Sequence, residues 1–439
     1  MDVVIQIAQL ILALTILVFI HELGHFMAAR MFGIRVEKFF IFFDAYGKKL
    51  WSIKRGDTEY GIGWLPLGGY VKIAGMIDES MDKDAMKKPA EPWELRSKPN
   101  WQKFIVMIGG IVMNVILGII LYVFILANYS KNYTTVEGVN NAGGIYATEA
   151  GKKYGFETGD KLVSINGRSY ERLDDYVSAR LYFGSDVVVD RNGKQIELVV
   201  ADSAFKDKMR GEVLFDLKAT IKIEDFSDSL KNAKEAGLQK GDILKAIDSV
   251  PVEYFTQMSE MFKARKGQSV PITVDRNGTE QTMLTQVDEH GRIGILTNTK
   301  LYAYDSVHYS FGKALSYGTR DAFEVFYFQA VSLVRIFRGD IPARESISSP
   351  IGITKLFAPK WDWTSFWILT ALLSMVLAFM NLLPIPALDG GHIMFIAIES
   401  ITGRKLSDKF MERAQLVGMI LLLSLMVFAV GNDIVKMFN

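Results

Sequence analysis

Phe19-Ile20-His21-Glu22-Leu23-Gly24-His25-Phe26-Met27-Ala28-Ala29 is the stretch from which the fold can be read. It continues an apolar run from Val3 to Ile20 that only Gln6, Gln9 and Thr15 interrupt. That length suits a membrane-spanning helix. A cleaved signal peptide would carry basic residues before the run and a small-residue cleavage site after it, and neither pattern is present. On a helix, residues four apart share a face, so His21 and His25 can reach one metal ion. Glu22 stands beside the first of them, placed to take a proton from a water that zinc brings to a pKa of about 7. A charged group at the centre of a bilayer costs roughly 2.5–3.5 kcal/mol on insertion scales, so an acid at the end of such a helix implies a function.

Three further apolar runs follow: Phe104 to Ala127, Phe366 to Leu383 and Leu416 to Val430. In the second, Gly110, Asn114 and Gly118 fall on one helix face, which lets another helix approach closely and lets Asn114 hydrogen-bond across. Lys98, Trp101 and Lys103 anchor its start. Lys and Arg set the orientation. Arg30, Arg35, Lys38, Lys48, Lys49, Lys54 and Arg55 follow the first run, and Arg404, Lys405, Lys409 and Arg413 precede the last. Both regions are therefore expected on the cytoplasmic side, with the termini and the segment from about Asn128 to Asp362 outside. Ala322 to Val334 is short for a span and is interrupted by Glu324 and Gln329, so Phe311 to Arg338 is read as a helix lying on the outer membrane interface.

The chain has 439 residues, no cysteine and a formal net charge of +1. A thiolate metal site is excluded, so His and carboxylates must supply any ligands. Nothing in the charge balance calls for nucleic acid. A catalytic zinc needs a third protein ligand and an open position. His290 and His308 lie in the outer segment. Asp389, in Asn381-Leu-Leu-Pro-Ile-Pro-Ala-Leu-Asp389-Gly-Gly-His392, ends the third span at the cytoplasmic depth of His25, with His392 as the second choice.

The middle segment repeats itself. Gly155-Phe-Glu-Thr-Gly-Asp160 is echoed by Gly237-Leu-Gln-Lys-Gly-Asp242, and Val189-Asp-Arg191-Asn-Gly by Val274-Asp-Arg276-Asn-Gly, at an offset of roughly 80 residues. Each copy combines a Gly-Asp turn, an alternating strand and an Asn-Gly hairpin signal, a pattern that resembles PDZ domains.

Taken together, HELGH in a first span, Leu388-Asp389-Gly390-Gly391 after a third and tandem PDZ-like repeats between resemble the site-2 proteases, in particular the bacterial regulator-of-sigma-E branch. Leu65-Pro66-Leu67-Gly68-Gly69-Tyr70-Val71-Lys72 and Ser349-Pro350-Ile351-Gly352-Ile353 match as well. The resemblance implies zinc held by His21, His25 and Asp389, with Glu22 as general base and Asn381 touching the substrate backbone. The family's Gly-Phe-Gly signature is replaced by Phe42-Phe43-Asp44-Ala45-Tyr46-Gly47, and Val376 stands where close relatives can carry a second Asn.

The expected protein is thus a multi-pass α-helical membrane protein with four transmembrane helices, two extracytoplasmic PDZ-like α+β domains and a membrane-associated β-hairpin. Its parts are 1–32 (first span), 33–100 (cytoplasmic β region), 101–127 (second span), 128–205 and 206–298 (PDZ-like domains), 299–362 (interfacial helix region) and 363–439 (third and fourth spans). Thr58 to Ala74 reads as the hairpin, with an exposed edge at Gly68, Gly69 and Tyr70 that can pair with an unwinding substrate. The expected partners are the bilayer of a bacterial inner membrane and single-pass membrane-protein substrates such as anti-sigma factors or signal-peptide remnants, cut after shortening by another protease, with the enzyme itself a monomer. A metal transporter would need polar residues along a continuous path, whereas the charged positions here cluster at one depth. An inactive PDZ scaffold would have no use for Glu22.

Overall fold

The computed structural model describes residues 2–65, 68–76, 89–128, 132–177, 179–227, 229–301, 304–306, 309–342, 344 and 349–438. His308, Pro66 and Leu67, singled out above, lie outside the described residues. The chain forms two compact units: Met1–Tyr129 with His308–Asn439, and the inserted Ser130–Val307.

In the first unit the long helices are α1 (Asp2–Met31), α2 (Asn100–Asn128), α3 (Phe311–Arg338), α4 (Trp363–Leu382), α5 (Asp389–Thr402) and α6 (Asp408–Phe438). Among the described residues four of them, α1, α2, α4 and α6, are long and apolar enough to cross a membrane. The buried residues of α1 run as one stripe, through Leu10, Ala13, Leu17, His21, Gly24, His25 and Ala28, so the face that packs is the face that carries HELGH. It packs against α2 with no side chain between: a Cβ on Gly24 would lie 2.3 Å from the carbonyl oxygen of Gly109, and one on Gly109 2.7 Å from that of Gly24. Gln6 and Gln9, which interrupt the first apolar run, donate through their side-chain amide nitrogens to the carbonyls of Phe357 (2.7 Å) and Ala358 (2.8 Å).

Two expectations are corrected here. The first concerns α3, which does not lie flat on an outer surface. Gly318 abuts Val123 of α2, while Ala322 and Val325 pack with Met375 of α4 and beside Val115 and Ile119 of α2. The helix therefore runs lengthwise and antiparallel to α2. Its small residues Ala314, Gly318 and Ala322 recur every four positions and admit the close approach, while Arg320 and Glu324 pair with each other. The second concerns the hairpin. Four strands, β1 (Val36–Phe40), β2 (Lys49–Arg55), β3 (Thr58–Gly63) and β4 (Tyr70–Ile73), form a sheet in the order β2-β3-β1-β4. β3 and β4 are not partners, because β1 lies between them, parallel to β3 (Phe39 opposite Tyr60) and antiparallel to β4 (Phe39 opposite Val71). The true hairpin is β2–β3, with Arg55 opposite Thr58, and β4 is left as an edge.

At the far end of the chain α6 is tied down by polar groups. Asp433 Oδ2 accepts from Ser349 N (2.8 Å), Ser349 Oγ (2.6 Å) and Gly352 N (3.1 Å) at the start of the short helix Pro350–Thr354.

The inserted unit is closed where the chain enters and leaves it: β5 (Asn132–Thr134) pairs with β17 (Tyr304–Ser306). Between them lie two apolar cores, one from Val136 to Phe215 and one from Ile221 to Ile295. The first contains the three-stranded sheet β7 (Lys161–Ile165), β8 (Ser185–Arg191) and β9 (Lys194–Val200), and the pair β6 (Tyr146–Ala147) with β10 (Phe215–Asp216). The second contains β11 (Ala219–Phe226), β12 (Ile243–Ile247), β13 (Val250–Pro251), β14 (Ser269–Arg276), β15 (Thr279–Gln286) and β16 (Ile295–Leu301), paired as β15-β14-β12-β11-β16 with β13 on β12. The expected boundary at 205/206 is therefore too early. Leu214 and Phe215 return to the first core after a polar stretch, and β10 pairs with β6. The expected end at 298 is also early, because β16 pairs with β11 as far as Leu301 opposite Ala219.

The internal repeat has a structural cause. Arg191 grips Asp160 with two hydrogen bonds (2.7 and 2.8 Å) and reaches Gly155 O, and Arg276 grips Asp242 (2.8 and 2.7 Å) and reaches Gly237 O. Burial alone would raise the Asp242 pKa, but the hydrogen bonds from Arg276 and the Gln239 amide, together with the Arg276 charge, hold the carboxyl below its ordinary value.

Candidate active site

HELGH lies inside α1, and α4 ends just before Asp389. Leu383 leaves the helix in an extended conformation, Ala387 takes a positive φ of 85°, and α5 begins at Asp389. Pro384 and Pro386 cannot continue the helix, and Gly391 admits the backbone of Ile385, which a Cβ there would meet at 2.5 Å. This turn brings Asn381 and Asp389 to α1 from either side of one reversal.

His21 Nε2 is 3.1 Å from Asp389 Oδ2, His25 Nε2 is 3.3 Å from the same oxygen, and the two Nε2 atoms are 3.2 Å apart. Three donors held tetrahedrally by zinc at its usual bond lengths would be separated by about 3.3 Å. Asp389 Oδ2 is buried and makes no hydrogen bond within the described protein, as expected of an atom that faces a cation. The donor set, two imidazoles and a carboxylate, is one that zinc accepts. These residues thus fit a metal ion, and they are the group of this kind found among the described residues.

The ring nitrogens on the far side also have neighbours. His25 Nδ1 meets the carbonyl oxygen of Val106 at 2.8 Å, and His21 Nδ1 meets the carboxamide of Asn114 at 3.2 Å. A cavity of about 590 Å³ opens onto the three donors and is lined also by Glu22, Lys38, Asp44, Gly69, Met107 and β4 from Tyr70 to Ile73.

Glu22 is half-buried there, beside the three donors and outside their group. Asn381 is brought in, its Nδ2 3.3 Å from His21 Nε2. Gly69 and Tyr70 line the cavity, but Gly68 does not. The Tyr70 ring stacks on Phe40 and Phe43 and its hydroxyl donates to Asp44 (2.8 Å), so this side chain braces the wall. His392, the second choice as ligand, is three residues into α5 and lines a neighbouring cavity of about 310 Å³. His290 is exposed in the inserted unit.

Sequence reasoning missed Asp44 and its partner Lys38 (2.8 Å), which stand on the cavity wall where the Gly-Phe-Gly signature was sought. Burial would raise the Asp44 pKa, but hydrogen bonds from Lys38 and Tyr70 keep it below the ordinary carboxylate value. No spacing signal marks this pair: Lys38 is on β1, Asp44 is in the loop that follows it, and only Tyr70 reaches them from β4.

Comparison with known proteins supplies the family. The model of peptidase family M50 matches residues 9–425, and the chain belongs to that family, the site-2 type of membrane metalloprotease. It is 29% identical to the regulator of sigma-E protease RseP of Escherichia coli, over 98% of both chains. It is likewise 29% identical to the regulator of sigma E protease of Haemophilus influenzae, over 98% of this chain and 99% of that one. The metalloprotease MmpA of Caulobacter vibrioides is 27% identical over 98% of this chain and 95% of its own. The protein is an intramembrane protease of regulated intramembrane proteolysis.

Proposed function

We propose that His21, His25 and Asp389 hold a catalytic zinc, that Glu22 is the general base, and that the substrates are membrane proteins already shortened on their outer side. The observation that carries this reading is the convergence of three zinc-type donors, 3.1–3.3 Å apart, in one cavity with an acid that is not a ligand. Bound there, zinc would act as a Lewis acid on the scissile carbonyl and make a nucleophilic water available near neutral pH. Glu22 takes the proton of the attacking water and returns it to the leaving nitrogen. Asn381 donates to the substrate backbone beside the reacting bond.

The peptide must be extended, because helical peptide bonds are hydrogen-bonded and shielded. β4 is an edge strand whose residues line the cavity, so it can hold an unwound segment by strand addition. Exposed Leu50, Trp51 and Ile53 on β2 suit contact with the membrane face. Peptides released by the wild type and absent with Glu22→Gln, identified by mass spectrometry, would define the substrate and the cut. Release of the same peptides by both proteins would defeat the proposal.

The proposed orientation puts the β region and the α5–α6 connection in the cytoplasm of a bacterium with the sheet on the inner face of its inner membrane, and the inserted unit and termini outside. Tags after Glu91 and Lys405 should resist a membrane-impermeant reagent, while one after Lys208 should react. Labelling of the Lys405 tag from outside would reverse the last spans.

We read the inserted unit as two PDZ-like domains that act as a size filter. Each repeat has its own core and its own Arg–Asp clamp, and among the described residues neither shows an evident carboxylate clamp for a peptide end. Removing residues 136–301 while keeping β5 and β17 should permit cleavage of full-length substrates that the wild type refuses, with little change for shortened ones. Loss of short-substrate cleavage with zinc retained would instead make the unit a recruiter.

A further inference from the structure

Asn114 is wholly buried on α2, one turn beyond Gly110, whose missing side chain leaves room for both imidazoles. Its carboxamide faces His21 on the side away from Asp389, with Nδ2 3.2 Å from Nδ1. Asn114 Oδ1 is buried and has no hydrogen-bond partner among the described residues. The residue is held in place from α4, where Ser374 Oγ donates to its main-chain oxygen at 2.8 Å.

A neutral imidazole carries one N–H and one lone pair. If His21 binds metal through Nε2, its proton must be on Nδ1, and a buried Nδ1–H needs an acceptor. A carboxamide presents either a donor or an acceptor on turning over about its terminal bond, with almost no change of shape. With the nitrogen toward the ring, Asn114 suits the Nε2–H tautomer, which cannot bind a metal. With the oxygen toward the ring it accepts from Nδ1–H, satisfies its own unpartnered oxygen and leaves the Nε2 lone pair directed at Asp389. We propose that Asn114 is the positioning residue of His21, whose Oδ1 accepts the Nδ1 proton in the metal-loaded enzyme.

Val106 does the corresponding task for His25, at 2.8 Å, but a carbonyl can only accept, so that tautomer is fixed. The Asn114 amide can serve both tautomers. The two ligands on α1 therefore differ: His25 is held ready for metal, and His21 is switched to its ligating form together with the amide.

This inference rests on His21, His25 and Asp389 being the zinc ligands. The test uses full-length protein in detergent, with zinc affinity measured by chelator competition for wild type, Asn114→Asp and Asn114→Leu. Asp keeps an acceptor of the same shape, whereas Leu keeps the bulk without one. Asn114→Leu should bind zinc roughly 10- to 100-fold more weakly, and Asn114→Asp at least as tightly as the wild type. Wild-type affinity in the Leu variant, or equal losses in both variants, would overturn the proposal, the second because it would show a packing role. A second measurement needs no variant to fold. The chain has only five histidines, so isotope-labelled histidine in the zinc-loaded wild type should show the His21 ring protonated at Nδ1. An unprotonated Nδ1 would also overturn the proposal. If His21→Ala leaves zinc affinity unchanged, the ligand assignment itself fails and this inference falls with it.

Discussion

Glu22→Gln should keep its zinc and lose proteolysis by roughly 100- to 10,000-fold, the range expected when a positioned base is removed. The substitution preserves the shape and leaves His21, His25 and Asp389 in place, but a carboxamide cannot take a proton from water. Glu22 shares the cavity with the donors, so solvent and substrate reach it where they reach the metal site. The measurement pairs zinc content with cleavage of a membrane-embedded substrate by the same preparation. Comparable cleavage by mutant and wild type would remove Glu22 from the mechanism. Loss of zinc along with activity would make it a structural neighbour of the ligands.

A single methyl group on α2 should do nearly as much damage by a different route. A Cβ on Gly110 would lie 2.5 Å from His25 Nε2 and 2.7 Å from His21 Cε1, closer than the 3.0 Å below which real Cβ contacts essentially never occur. The helices cannot separate locally to relieve this, because Gly24 and Gly109 already bring the backbones together beside it. The imidazoles must move instead, and a displacement of about 1 Å at a reacting centre can cost 100-fold. Gly110→Ala should therefore lose zinc affinity and activity by about that factor or more. Gly118→Ala is the control. Its Cβ would meet Met375 Sδ at 2.4 Å, but a flexible thioether can swing aside, so zinc should stay bound. Wild-type zinc affinity in Gly110→Ala would mean that the imidazoles do not pack on α2 as described.

The four long apolar helices were legible because their signal is local: eighteen or more apolar residues have few other destinations. The HELGH face was legible for the same reason, since the helical period alone puts His21 and His25 together. Non-local facts were not. Asn381, Pro386 and Asp389 mark a helix end and a reversal, but only the packed chain brings the carboxylate to 3.1 Å from His21. Glu324 and Gln329 interrupt the apolar run and made α3 look like a surface helix, and the small-residue face at Ala314, Gly318 and Ala322 went unweighed. β3 and β4 read as a hairpin because they are consecutive in sequence, whereas β1, from earlier in the chain, occupies the place between them. The Asp44–Lys38 pair forms where the chain leaves β1 and had no signature of its own.

The contact of Gly24 with Gly109 has a mechanical consequence. A joint of backbone against backbone has no side chain that can change rotamer and take up slack, so α1 and α2 tilt and slide together or not at all. The two imidazoles ride on one member of that joint and their far-side hydrogen-bond partners, Val106 and Asn114, on the other. Forcing an incoming helix between them would pull the imidazoles off their supports before any bond was presented. α6 is differently mounted: 11% of its spanning window is buried, against 39% for α2, and a polar clasp at Asp433 fastens one end. Fewer buried side chains would have to part for a guest along α6, but its Gly418 abuts the backbone of Pro386, where a Cβ would lie 1.6 Å from the carbonyl oxygen, so a movement of α6 there is felt by the turn that carries Asp389.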